Sequence, residues 1–173
     1  GTATMLSLGH PKMIFPKFKN IMVYPDKYFS RFGNNWHYGE VNPAGAIVVS
    51  VNRMMEGLED TSDGINLLIH EFAHAFDLSN QMIKYQTRLI SDHYMHTFHK
   101  LAKEEIKKGI AGNESIFREY AYSNFREFFA VSTELFFEKP GDLRAYNPAL
   151  YDCMVGIFKL NPLGRDGRIV VMS

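Results

Sequence analysis

Two histidines and a glutamate in the pattern H-E-x-x-H are the residues best suited to chemistry: His70, Glu71 and His74. In a helix, His70 and His74 lie one turn apart on one face, so both imidazoles can reach one metal ion. Glu71 lies about 100° further round the helix, where it can reach a metal-bound water without being a ligand. The pattern predicts a zinc site in which the glutamate takes a proton from water that the metal has acidified.

The neighbours of this motif are almost all apolar, whereas chance matches often lie on solvated helices. They are Ile65, Leu67, Leu68, Ile69, Phe72, Ala73, Ala75, Phe76 and Leu78. A helix that is apolar on nearly all sides is a buried helix. Buried imidazoles and carboxylates without partners cost on the order of 1–3 kcal/mol each, and a metal ion would supply those partners. Asp77, three residues after His74, could orient a ligand imidazole or could be an ordinary polar helix end.

A second apolar stretch supplies the candidates for a third ligand. Ser123 or Asn124 can cap a helix that runs to Phe137. This helix carries Glu127 and Glu134, seven residues apart and therefore on roughly one face. Because a buried carboxylate needs a metal, a cation or a hydrogen-bond donor, we expect one of the two to be a zinc ligand. The spacing does not choose between them.

Short apolar runs predict strands on the N-terminal side of the motif. Residues 21–24 form one run, and residues 46–51, rich in β-branched side chains, form another. The second strand could lie along the edge of the cleft, where an extended peptide would add to it, or could be a plain core strand. Residues 26–42 are predicted to be mainly loop, in which Trp36 and Tyr38 could line a cleft or anchor the loop.

Helical patterns account for most of the remaining chain. The motif helix is predicted over residues 65–78, with Ser62 or Asp63 as its cap. Apolar residues at helical spacing predict one long helix over 81–108 and one or two further helices over 142–163. The predicted fold class is therefore α+β, with a small mixed sheet packed on the motif helix and a mostly helical remainder.

Length, charge and cysteine content narrow the class of protein. A chain of 173 residues is long enough for one domain with a real core, so we expect a single domain over 1–173. Lys+Arg and Asp+Glu number 19 each, and this balance gives no support for a nucleic-acid or anionic-membrane partner. The single cysteine, Cys153, excludes an intrachain disulfide and a thiolate-rich structural zinc site. A zinc held by histidines and carboxylates with one open position is the catalytic type.

Targeting signals are absent from the sequence itself. No apolar run approaches the ~20 residues of a membrane span, and the first residues lack a signal-peptide pattern. We therefore expect a cytoplasmic location. Residues 1–9 resemble the end of a helix from a longer chain, so we expect a truncated N-terminus, upstream of which a membrane anchor could lie.

The two motif stretches together resemble the zinc peptidases of the Mlc titration factor A family. The resemblance rests on residues 70–77 and 120–130, where Tyr120 stands seven residues before Glu127 in a Glu-Phe-Phe-Ala context. It extends over most of residues 20–160. The same stretches are similar to the catalytic domain of anthrax lethal factor.

This resemblance implies a zincin-like fold and a peptidase of the gluzincin type, with aminopeptidase activity as the mode of family members. It implies one zinc ion per chain, held by His70, His74 and Glu127. Glu71 would be the general base, and Tyr120 would steady the oxyanion of the tetrahedral intermediate.

The same resemblance leaves a structural or ligand-supporting role for Glu134. The expected partner is a peptide or protein substrate. The founding family member also binds a transcriptional repressor, so the alternative function is a regulatory module that sequesters a repressor or another protein.

Overall fold

The computed structural model describes residues 2–10, 15, 18–31, 34–42, 44–82, 90–164 and 169–172. Within these ranges the chain is mixed α+β, mostly helical, with small sheets. The helices are α1 (Thr2–Ser7), α2 (Val51–Glu59), α3 (Leu67–Met82), α4 (Asp92–Ile110), a 3₁₀ helix (Glu119–Ser123), α5 (Phe125–Glu138), α6 (Pro140–Tyr146) and α7 (Pro148–Phe158). The strands are β1 (Asn20–Tyr24), β2 (Tyr28–Ser30), β3 (Asn35–His37), β4 (Gly39–Asn42), β5 (Ala46–Ser50), β6 (Leu160–Asn161) and β7 (Val170–Val171).

The main sheet has three strands in the order β1-β5-β4. β1 runs parallel to β5, and β4 runs antiparallel to it. β5 is therefore central, and of the two alternatives for this strand the structure supports the plain core strand rather than the edge of the cleft. Its residues Ile47, Val48 and Val49 are all buried, as is typical of a strand covered on both faces. β4, which contacts α3, is the outer strand on that side.

The segment predicted to be mainly loop contains three short strands. β2 and β3 pair antiparallel as a separate two-stranded ribbon. In this ribbon the ring of Phe29 packs edge-on against that of Trp36, with centroids 5.8 Å apart. Strands of three or four residues, interrupted by glycine and asparagine, are too short to show a two-residue alternation, so the pattern did not reveal them.

The motif helix begins later than predicted because a different residue caps it. The side-chain oxygen of Asn66 accepts a hydrogen bond from the backbone N–H of Ile69 at 3.1 Å, and α3 starts at Leu67. The predicted caps Ser62 and Asp63 belong to the preceding turn. Asp63 Oδ1 accepts from the backbone N–H two residues later, at 2.7 Å.

The predicted long helix over 81–108 starts too early. α3 continues to Met82 and α4 begins at Asp92, after Ser91, whose hydroxyl accepts from the backbone N–H of Tyr94. Residues 83–89 lie outside the described ranges. The apolar spacing continued across two helices, which is why it suggested one.

The C-terminal predictions agree with the structure. Asn124 caps α5, its side-chain oxygen accepting from the backbone N–H groups of Arg126 at 2.9 Å and Glu127 at 3.1 Å. α6 and α7 are the two further helices. Cys153 is buried, and burial raises the pKa of its thiol to about 12.

α3 and α5 pack against each other, and aromatic side chains anchor both helices in the core. Phe76 of α3 and Phe136 of α5 both contact Phe158 of α7, with ring centroids 5.0 and 5.7 Å apart. Close packing of this kind gives the two helices a fixed relative position. Among the described helices none combines the length and apolarity needed to cross a membrane.

Candidate metal centre

α3 and α5 bring three potential metal donors together. The Nε2 atoms of His70 and His74 lie 3.0 and 3.4 Å from Oε2 of Glu127. The three ligand atoms are all within 4.8 Å of one another. The two imidazole rings stand nearly perpendicular, at 89°, so the nitrogens converge on one point from different directions.

This donor set fits a divalent ion such as zinc. Two imidazoles and one carboxylate are ligands that zinc prefers, and metal–ligand bonds of about 2.0–2.1 Å in a tetrahedron separate the donors by about 3.3 Å. The observed separations from Glu127 bracket that value. The other ring nitrogen of His74, Nδ1, is buried and has no hydrogen-bond partner among the described residues.

Glu134, the other candidate ligand, contacts the opposite side of His70. Its carboxylate is fully buried, with 0% exposure, and its Oε1 lies 2.8 Å from Nδ1 of His70. The Arg118 guanidinium donates to both carboxylate oxygens, at 2.6 and 2.9 Å, and the backbone N–H of Asn66 donates at 2.7 Å. The two carboxylates of α5 thus lie on either side of the His70 ring. A carboxylate behind a ligand imidazole fixes its orientation and tautomer.

The structure also corrects the role considered for Asp77. Its carboxylate accepts a hydrogen bond from the side chain of Gln81 at 2.7 Å, and it does not pair with His74. Asp77 therefore has a local partner one turn further along α3.

Sequence reasoning missed Arg118 and Asn66. The signal for Arg118 was available, because two buried glutamates on one helix require a nearby cation and Arg118 stands two residues before Tyr120. The contribution of Asn66 is a backbone N–H, which no residue pattern indicates.

Glu71 lies under the first residue of β4. It is buried, and its Oε2 has no hydrogen-bond partner within the described part of the chain. The backbone of Gly39 packs directly on this side chain. A Cβ at Gly39 would lie 2.7 Å from Cδ of Glu71, closer than two carbon atoms can approach. A side chain at this position would require the Glu71 carboxyl group or the strand to move, whereas glycine requires neither.

Tyr120 lies on the 3₁₀ helix that leads into α5. Its ring is 5.9 Å from that of His70, and its hydroxyphenyl group borders a cavity of about 690 Å³ that His70, Glu71 and Arg118 also line. Burial, together with the negative charge of Glu127, raises the pKa of the Tyr120 phenol to about 12. The phenol is therefore a hydrogen-bond donor at neutral pH.

Burial and mutual charge shift the pKa values of the central residues. Burial disfavours the His70 imidazolium, but hydrogen bonds to Glu127 and Glu134 outweigh it and raise the pKa to about 9. Burial raises the pKa of Glu71 to about 8, and the neighbouring carboxylates add to this effect against the opposing charge of His70. Burial lowers the pKa of His74. Hydrogen bonds from both histidines lower the pKa of Glu127, despite its burial.

A family model described as glucose-regulated metallo-peptidase M90 matches residues 1–159. The chain belongs to this family. The resemblance to the Mlc titration factor A family is thereby confirmed, whereas the similarity to anthrax lethal factor stays a prediction.

Curated relatives of this M90 chain support the assignment. It is 26% identical over 170 residues to an uncharacterized protein of Synechocystis sp., covering 86% of this chain and 60% of the relative. It is 27% identical over 172 residues to Mlc titration factor A of Yersinia pestis, covering 87% of this chain and 62% of the relative. The same figures hold for Mlc titration factor A of Yersinia pseudotuberculosis. The chain spans about six tenths of the length of these relatives.

The role of Glu134 can be tested through metal affinity. Glu134→Gln replaces the charge that faces His70 and places an amide against the Arg118 guanidinium. We expect zinc affinity to fall about 10- to 100-fold, measured by competition with a chromophoric chelator. Glu114→Gln, at an exposed position, is the control and should bind zinc like the unsubstituted protein. If Glu134→Gln and Glu114→Gln both fold and bind zinc with equal affinity, the proposed orientation of His70 by Glu134 is contradicted.

The stability of the metal-free protein should fall as pH rises from 6.5 to 9. The folded protein holds a proton on His70, whose pKa is about 9 against 6.5 unfolded, and on Glu71, whose pKa is about 8 against 4.5. Unfolding therefore releases protons in this window, and the free energy of unfolding decreases with pH. The midpoint temperature of thermal unfolding, measured in the presence of a chelator, should fall as the pH rises. Glu71→Gln should make this fall smaller below pH 8. A midpoint that is constant or rises across this range would contradict these pKa shifts.

Proposed function

We propose that this chain is a zinc-dependent metallopeptidase domain with a zincin-like fold of the gluzincin type. The observation that carries the proposal is the convergence of His70, His74 and Glu127 at the wall of a cavity. Beside them lies the buried Glu71, one of whose carboxylate oxygens has no partner among the residues that the structure describes. Membership of a metallo-peptidase family supports it. These three residues would hold the zinc, which when bound lowers the pKa of a water molecule toward ~7 and polarises a carbonyl group.

Glu71 is the proposed general base and acid. Its Oε2 accepts a proton from the attacking water and delivers it to the nitrogen of the leaving amine. Burial supports this role, because it raises the affinity of the carboxylate for a proton. The contact with Gly39 holds the side chain in place.

Tyr120 is the proposed oxyanion donor. Its protonated phenol faces the cavity beside His70, and it donates to the substrate oxygen on which negative charge develops. The position on a 3₁₀ helix that leads directly into α5 supports this role, because it ties the phenol to the helix that carries Glu127.

β4 is the proposed binding edge for an extended peptide. The structure describes no strand on its outer side, and its first residue contacts Glu71. A peptide that adds to this strand would pass the proposed base. Within this class we propose aminopeptidase activity, the mode that the sequence resemblance implies, with a cytoplasmic location.

The name Mlc titration factor A, carried by the Yersinia relatives, favours a second candidate function. In that case the chain would bind a transcriptional regulator and sequester it. The buried Oε2 of Glu71, which has no hydrogen-bond partner among the described residues, favours hydrolysis, because a binding module has no use for a general base.

Peptide hydrolysis by the zinc-loaded protein tests the proposal. Glu71→Gln should reduce hydrolysis by about 10²- to 10⁴-fold, while Glu114→Gln leaves it unchanged. Fluorogenic peptides with free and with blocked amino termini distinguish the modes, since an aminopeptidase cleaves only the free-amine set. Absence of turnover with stoichiometric zinc would contradict peptidase activity for this chain and favour the regulatory function.

Replacement of Tyr120 tests the oxyanion role. Tyr120→Phe should lower kcat about 10²- to 10³-fold with little change in KM, because the lost hydrogen bond forms in the transition state. The matched control is Tyr122→Phe, whose hydroxyl donates to the backbone oxygen of Phe117 and should leave kcat unchanged. Similar kcat values for the two variants would remove Tyr120 from the mechanism.

A further inference from the structure

The cavity beside the candidate metal centre extends to the β2–β3 ribbon and α2. Besides Tyr120, three large apolar side chains border it and remain accessible to solvent: Trp36 at 58%, Tyr38 at 39% and Ile65 at 52%. Exposed apolar groups that gather at a cavity mark a binding site more often than scattered ones do. The sequence left the placement of Trp36 and Tyr38 open between a cleft and a loop anchor, and the structure puts both at the cleft.

These side chains lie next to the residues proposed for catalysis. Tyr38 directly precedes Gly39, the residue whose backbone touches Glu71. Trp36 is two residues earlier, in β3, and lines the same cavity as Tyr38. Ile65 stands five residues before His70, just ahead of the cap of α3. Because this group and the residues proposed for catalysis line one cavity, a substrate bound there contacts both.

Neighbouring groups hold the aromatic rings in place. The Phe29 ring supports Trp36 edge-on, and the Arg53 guanidinium lies 4.7 Å from the centroid of the Tyr38 ring. Arg53 is itself bonded to Glu56 at 2.7 Å. Rings that are already positioned lose little conformational freedom when a ligand binds.

On the side of the cavity formed by α2 and the turn before α3, Arg53 and Asp63 already have partners. Arg53 pairs with Glu56, and Asp63 accepts from the backbone N–H of Ile65. A charged substrate side chain would compete with these contacts and lose hydration without a new partner. The walls therefore favour an apolar side chain.

We propose that Trp36, Tyr38 and Ile65 form an apolar subsite, which selects peptides with an aromatic or large aliphatic side chain adjoining the cleaved bond. This inference rests on the proposed peptidase function and names its substrate class. Tyr38 and Ile65 are specificity determinants, and neither takes part in the chemistry.

Tryptophan fluorescence gives a direct test, because Trp36 is the single tryptophan of the chain. The zinc-loaded Glu71→Gln protein is titrated with free-amine pentaalanine and with variants that carry one Phe, Asp or Lys at each position in turn. We expect a blue shift and binding on the order of 10- to 100-fold tighter for Phe at one position. Asp and Lys at that position should bind no better than Ala.

Further substitutions in the Glu71→Gln protein identify the side chains that produce the preference for Phe. Tyr38→Ala should remove most of it, whereas Tyr38→Phe keeps the ring and should retain it. Ile65→Ser is a second, independent variant that should weaken the preference. Leu58→Ser is its matched control, since Leu58 is equally exposed at 51% but lies outside the lining of the cavity.

The outcomes separate this inference from the proposed function. Equal binding of the Phe, Ala and Asp peptides, or a Phe preference that survives both Tyr38→Ala and Ile65→Ser, would overturn the subsite. Hydrolysis without side-chain preference would also overturn it and leave the peptidase function standing. A Phe preference in binding, without hydrolysis by the unsubstituted zinc-loaded protein, would support the subsite and contradict the peptidase function.

Discussion

The rest of the site depends on the hydrogen bonds that the carboxylate of Glu134 accepts. This carboxylate is a fully buried charge that accepts from three separate segments: the side chain of His70, the backbone of Asn66 and the guanidinium of Arg118. A buried charge of this kind is tolerated only when its donors are all in place. The same contacts therefore join the start of α3, the segment that leads to the 3₁₀ helix, and α5. They fix the orientation of the imidazole that the metal would use.

The acidic groups near His70 explain why the site is suited to a cation. Glu71, Glu127 and Glu134 all act on its imidazole, and like charges in a poorly solvated region repel strongly. Protons on His70 and Glu71 relieve this repulsion in the metal-free protein. A divalent ion would relieve it as well, and would leave the Glu71 carboxylate free to act as a base.

The sequence predicted the candidate site better than it predicted the sheet. The H-E-x-x-H pattern, the two glutamates on α5 and the cap at Asn124 are local features, and local features depend on spacing that can be read directly. The role of Arg118 depends on which segments meet in three dimensions. The same holds for β5, whose composition suited both an edge and a centre, and whose neighbours are decided only by the pairing of β1 and β4. The predictions of these local features agreed with the structure, whereas those that depended on chain topology could not be made from residue types alone.

The contact between Gly39 and Glu71 has a consequence for reading other sequences. Because the backbone itself fills the space beside the carboxyl group, a side chain at this position would require the proposed base or the strand to move, although Gly39 supplies none of the metal donors. A chain of this architecture could thus keep H-E-x-x-H and the distal glutamate and still be a pseudoenzyme. The residue at the start of β4 is therefore worth comparing, together with the metal donors, when homologues are examined for activity.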